Sequence, residues 1–111
     1  MSTNSYRVRL TAGAKQDMSS IVGYVARQDS QKAAERLLEK LLATVASLGN
    51  SPERDSFPAE LLALGSREYR QIICRPYRLS YQVVGGEVLL FVIADGRRDF
   101  QALLSRRLLA Q

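Results

Sequence analysis

Histidine is absent from this 111-residue chain, and cysteine occurs once. The first absence removes the commonest general base and metal ligand. The second excludes an intrachain disulfide, and a lone Cys74 without histidine makes neither a zinc site nor a thiol–imidazole pair. Cys74 sits in the apolar run Ile72-Ile73-Cys74 and reads as a small buried hydrophobe. There is no phosphate loop, nucleophile elbow or dinucleotide fingerprint. Glu60 and Glu68 are the only carboxylates near the sheet entry, and their spacing does not suggest an acid/base pair. No apolar run reaches the roughly 18 residues of a membrane span, and Met1 to Ser5 are too polar to open a signal peptide. Repeats and low-complexity tracts are also missing. The expectation is a single domain over residues 1–111, cytoplasmic, with no metal, no cofactor and no catalytic residue.

What the chain does have is a cationic surplus and ordinary globular patterning. Apolar residues make up 46% and charged residues 24%, enough for one modest core. The formal net charge is +5 and the pI about 9.8. Such a balance suits an anionic partner (nucleic acid, acidic protein or membrane surface), although many soluble domains carry it without one.

Tyr6-Arg7-Val8-Arg9-Leu10 alternates apolar and charged, as a short half-buried strand does. Thr11 then offers a hydroxyl to cap a helix over residues 12–27, whose stripe is Ala14, Met18, Ile21, Val22 and Val25. The break near Gln28-Asp29-Ser30 suits a second cap. From Gln31, the residues Ala34, Leu37, Leu38, Leu41, Leu42, Val45 and Leu48 form a wide apolar face ended by Gly49 and Pro52. About three residues between the helices impose an antiparallel hairpin. Residues 52–66, with Pro58 and Gly65, read as an irregular connection.

Gly85-Gly86 between apolar runs signals a β-hairpin, because primed turns need positive φ. Closing on it pairs Val84 with Glu87, Val83 with Val88, Tyr81 with Leu90, Leu79 with Val92 and Tyr77 with Ala94. One face is then wholly apolar, and the other carries Arg78, Ser80 and Gln82 beside Leu89, Phe91 and Ile93. For the preceding strand, a two-residue Arg75-Pro76 turn would set Arg70 opposite Tyr81 and into the core. A three-residue Cys74-Arg75-Pro76 loop turns Arg70 outward beside Arg78. The cost of a buried unpaired guanidinium favours the second register. Arg70, Arg78, Arg97 and Arg98 thus form a candidate basic patch, or else they simply keep a sheet edge soluble.

Phe100, Leu103, Leu104 and Leu108 recur at helical spacing, so a short amphipathic helix closes the chain. Too short to persist alone in water, it packs on the core, engages a partner or lies on a membrane.

In this order, Tyr6-Arg7-Val8-Arg9-Leu10-Thr11 with Ala14 and Asp17, Ser51-Pro52, Tyr69-Arg70, Tyr77-Arg78-Leu79-Ser80-Tyr81 and Asp95-Gly96-Arg97-Arg98-Asp99 resemble the ParE/RelE toxin superfamily over nearly the whole chain. The resemblance implies an α+β fold: an N-terminal strand, an antiparallel helix hairpin packed on a mainly antiparallel sheet, and a short C-terminal helix. It implies a bacterial toxin neutralised by an antitoxin. On the RelE-like branch, which cuts messenger RNA in the ribosome, Arg70, Arg78 and Arg98 fall on basic positions. Ile72 and Leu104 stand where that branch has a lysine and a tyrosine. The long hairpin and the Arg97-Arg98-Asp99 ending are more similar to the ParE branch. That branch implies inhibition of DNA gyrase, a ParD-like ribbon-helix-helix antitoxin, and no sequence-specific DNA binding by this chain alone. The alternatives are a RelE-like ribonuclease and a non-toxic binding module of the same fold. Surplus apolar surface on the second helix marks Leu37, Leu41 and Val45, flanked by Arg27 and Arg36, as the candidate antitoxin groove.

Overall fold

The computed structural model describes residues 6–50, 69–96, 102–103 and 106–107. The irregular connection over 52–66, and Arg97, Arg98, Phe100, Leu104 and Leu108, lie outside the described residues. Strand β1 (Arg7–Leu10) leads into helices α1 (Ala12–Gln28) and α2 (Gln31–Ser47). Three strands follow: β2 (Arg70–Cys74), β3 (Tyr77–Val84) and β4 (Glu87–Asp95).

Local chemistry sets the helix boundaries. Thr11 and Ser30 are both extended, and their hydroxyls accept from the amides of Ala14 at 3.1 Å and Ala33 at 3.0 Å. Each cap satisfies a donor that the first helical turn leaves unpaired. The turn through Asp29 folds α2 back along α1, and the hairpin lies on one face of the sheet. Ala14, Met18, Leu41, Val45 and Leu48 meet Leu79, Tyr81, Val88, Leu90 and Ile93 in a single core. Leu42, counted on the apolar stripe from its spacing, is instead half exposed. The sheet is too narrow to cover so wide a face.

The four strands run in the order β1-β4-β3-β2. β1 pairs in parallel with β4, from Arg7 opposite Glu87 to Leu10 opposite Leu90. The β3–β4 hairpin turns on Gly85, whose φ of +61° is the conformation that glycine adopts without strain. Its register follows the expected one from Val84–Glu87 up to Tyr81–Leu90.

Beyond that rung the register shifts. Ser80 pairs with Val92, Leu79 with Ile93 and Tyr77 with Asp95, so Phe91 is an extra residue with no partner in β3. This is a β-bulge, and it rotates the rest of β4. Ile93 joins the helix-side core, while Phe91, Val92 and Ala94 gather on the opposite face with Tyr69, Leu89 and Leu103. The expected pairs Leu79–Val92 and Tyr77–Ala94 are therefore off by one residue.

The β2–β3 connection also differs from expectation. Arg75-Pro76 is the two-residue turn, with Cys74 opposite Tyr77, Ile72 opposite Leu79 and Arg70 opposite Tyr81. The burial-cost argument assumed that Arg70 would be enclosed. It opens the outermost strand and stays half-buried, so the full desolvation penalty never arises.

Leu41→Ala and Leu79→Ala remove fully buried side chains and should each destabilise the protein by about 2–5 kcal/mol. Ile21→Ala, at a half-buried position packed against the same core, should cost less. Urea midpoints of the three variants check the ordering.

Candidate functional site: two sheet faces and a helix hairpin

The register decides which basic residues share a surface. Arg78 and Gln71 lie on the face away from the helices. Arg78 donates from Nε and Nη2 to the Gln71 side-chain oxygen, at 3.0 and 2.8 Å. The Arg78 stem passes over Gly96, where an added Cβ would meet its Cγ and Cδ at 3.4 Å. Arg70 is in register with Tyr81, on the helix-facing side. The expected juxtaposition of Arg70 and Arg78 is therefore not formed, and the four-arginine patch loses a member. Ile72 faces the core against Leu79.

The far face is more apolar than its sequence pattern implied. Phe91, Val92 and Ala94 are buried there under Leu103, and the Tyr69 ring meets Phe91 edge-on at 5.6 Å. Such an edge contact contributes about 0.5–1.5 kcal/mol beyond the area it buries. Leu103 is the described member of the predicted terminal apolar stripe, and it packs on the protein's own sheet. Of the three placements open to that helix, this is docking on the core.

Next to this face is an interaction that the charge pattern did not flag. β1 ends at Leu10, and the amide of Thr11 makes the last parallel rung, to the Leu90 carbonyl. Past it, side chains take over the edge of β4. The Asp17 carboxylate accepts from the Ile93 amide at 3.0 Å and takes a bidentate pair from Arg107, at 2.9 and 3.0 Å. Arg107 also donates to the Phe91 carbonyl at 2.7 Å, toward which the Thr11 hydroxyl points at 3.5 Å. Both charged side chains are less than one-fifth exposed. Hydrogen bonding to Asp17 holds the Arg107 guanidinium protonated even more firmly than usual; burial opposes this and the attraction of the carboxylate adds to it. Fork-on-carboxylate geometry of this kind fixes direction as well as charge.

The helix hairpin carries two open grooves. One, of about 540 Å³, runs along α2 and is lined by Ala33, Arg36, Leu37, Glu39, Lys40 and Ala43. The other, of about 520 Å³, lies between the helices over Leu10, Met18, Val22, Ala34 and Leu38. Arg27 reaches back toward Gly23 on its rim, where an added Cβ would stand 3.3 Å from its Nη1. Arg36 and Leu37 are thus in a groove as expected. Leu41 and Val45 are in the core and cannot touch a partner. No cluster of side chains among the described residues has the makings of a metal site.

Three solved structures share the architecture: the chromosomal ParDE toxin–antitoxin system of P. aeruginosa, the toxin–antitoxin complex RelBE2 of Mycobacterium tuberculosis, and a free-state mutant of E. coli toxin RelE. The first aligns with a TM-score of 0.71 at 16% identity, over 84% of this chain and 98% of that one. The second gives 0.59 at 18%, over 82% and 98%. The third gives 0.53 at 18%, over 92% and 97%. These likenesses define the ParE/RelE toxin fold. Residues 8–100 match the model of the ParE toxin of the type II toxin–antitoxin system parDE, and the chain belongs to that family. No curated protein matches it.

Because Arg70 and Arg78 lie on opposite faces, their contributions to stability should be independent. In a double-mutant cycle to alanine, the two effects should add within about 0.5 kcal/mol. Thermal unfolding of the four proteins measures this, and a larger coupling would return both arginines to one patch.

Proposed function

We propose that this toxin acts in the bacterial cytoplasm by inhibiting DNA gyrase, and that a ParD-like antitoxin neutralises it. The observation that carries the reading is the separation of the basic residues. A ribonuclease built on this fold without histidine would need several cations converging on one scissile phosphate, because arginine stabilises charge but cannot act as a base. Here Arg70 and Arg78 diverge, Ile72 is turned into the core, and the far face is an apolar band under Leu103. Such a surface is suited to holding a macromolecule and poorly equipped to cleave one. Purified protein should therefore block gyrase supercoiling and leave ribosome-bound messenger intact. Site-specific messenger cleavage would replace this reading with the RelE-like one. Inactivity in both assays would favour a non-toxic binding module.

The antitoxin site in this reading is the helix hairpin. The groove along α2 pairs apolar Ala33, Leu37 and Ala43 with charged Arg36, Glu39 and Lys40, a mixture that suits an amphipathic segment laid across it. The likeness to structures of toxin–antitoxin pairs supports a protein partner, and the net charge of +5 favours an acidic one. Charge at such a rim governs encounter more than residence. Arg36→Glu should slow antitoxin association by about tenfold at low salt and flatten its salt dependence, with an unchanged melting temperature. Stopped-flow binding at two ionic strengths measures both, and an unaltered on-rate would move the neutralising surface elsewhere.

A further inference from the structure

Strand β1 is an edge of the sheet, with β4 on one side and no strand on the other among the described residues. The Arg7 amide donates to the Gly86 carbonyl and the Thr11 amide to the Leu90 carbonyl, both at 3.0 Å. Backbone groups alternate in direction along a strand, so the amides and carbonyls of Val8 and Leu10 point away from β4. The Tyr6 amide points the same way, and the Gly49 carbonyl just past α2 takes it at 2.7 Å. Beyond Tyr6 the edge is open: no described group accepts from the Val8 or Leu10 amide. An open strand edge is a template for another strand.

The flanking side chains decide what fits there. Val8 and Leu10 pack toward the core, while Arg7 and Arg9 stand on the opposite face, their side chains 77% and 60% exposed. Glu87 lies 3.1 Å from Arg9 and 3.9 Å from Arg7. One carboxylate thus serves two guanidiniums, and a positive charge is left over. An antiparallel second copy of β1 centred on Val8 would set Arg7 against Arg9, and one centred on Arg9 would set that residue against itself. Like charges directly opposite are destabilising, so the edge is guarded against its own kind. A strand with carboxylates at alternate positions meets the same arginines as partners.

We propose that the open edge of β1 receives an extended segment of a partner protein in which acidic and apolar residues alternate. The segment's backbone pairs with Val8 and Leu10, and its carboxylates lie beside Arg7 and Arg9. Its apolar side chains turn to the helix side, where Leu10 lines the interhelical groove with Met18 and Val22. Backbone pairing supplies affinity in such an addition, and the alternate side chains supply specificity. The Tyr6–Gly49 bond closes the edge at its N-terminal side and so fixes where the added strand stops. This surface is separate from the groove along α2, and it stands whichever target the toxin has.

The probe is the synthetic peptide Thr-Glu-Val-Glu-Val-Glu-Thr. It is compared with a version N-methylated at every valine and glutamate, which cannot donate to a neighbouring strand, and with a version carrying lysine for glutamate. Amide exchange of the full-length protein is followed residue by residue by NMR. Saturating peptide should slow exchange at Val8 and Leu10 by about fivefold or more, while the Arg7 amide, already bonded to Gly86, stays as it is. N-methylation and the lysine replacement should each weaken binding by about tenfold or more. The Arg7→Gln/Arg9→Gln variant, altered only at exposed side chains, should keep its melting temperature and also bind about tenfold more weakly. Arg36→Glu, in the α2 groove, should bind as wild type does. Absence of binding, equal binding of the N-methylated peptide, protection concentrated in α2, or loss of binding in Arg36→Glu would each overturn the proposal. So would slowing of Val8 and Leu10 by a rise in protein concentration alone, which would put a second copy on the edge.

Discussion

One extra residue in β4 organises the rest of the molecule. If Phe91 had a partner in β3, strict alternation would hold from Glu87 to Asp95, Val92 would face the helices and Ile93 would face away. The bulge instead delivers Leu90 and Ile93 to the helix side and stacks Phe91 and Val92 on the other. Two cores therefore share one strand. The larger holds the helix hairpin. The smaller needs a cover of its own, and Tyr69 and Leu103 supply it. The bulge also lies just past the last rung that β1 makes, where backbone groups of β4 turn to side chains for hydrogen bonds.

Much of this architecture was readable from local chemistry. Thr11 and the break at Gln28-Asp29-Ser30 announced their helices because a cap is a contact within three residues, and the Gly85-Gly86 turn fixed the first rungs of its hairpin for the same reason. Legibility failed where the local signal was degenerate. Leu89 to Ala94 is an unbroken apolar run, so neither face of the strand is marked by polarity and a slip of one residue leaves no trace in the pattern. The Arg75-Pro76 turn is not legible locally, because strand order decides how deeply Arg70 is enclosed, and strand order is a tertiary property.

The candidate surfaces divide in the same way. Arg36 and Leu37 were found by helical periodicity, and the groove is lined by both. The same periodicity could not separate them from Leu41 and Val45, since one wide stripe serves as core on one flank and as surface on the other. Asp17 and Arg107 are far apart in sequence, and each taken alone looks like an ordinary charged residue on a helix. A pairing like theirs becomes visible only when the backbone donor and acceptor between them are accounted for.

The parallel pairing of β1 with β4 has a consequence for how the molecule is made. Arg9 meets Glu87 across 78 positions of chain, and the last parallel rung, Thr11 to Leu90, joins positions slightly farther apart. Contacts of such separation form late, because loop closure precedes any gain from them. During synthesis the helix hairpin emerges well before the strands that will shelter it, with Met18, Leu41 and Val45 still open to water. The sheet becomes continuous only after residue 90 has left the ribosome. Until then this protein is a sticky pair of helices awaiting strands encoded later in the message, and chaperones or an early-binding partner would meet the hairpin before they met the finished fold.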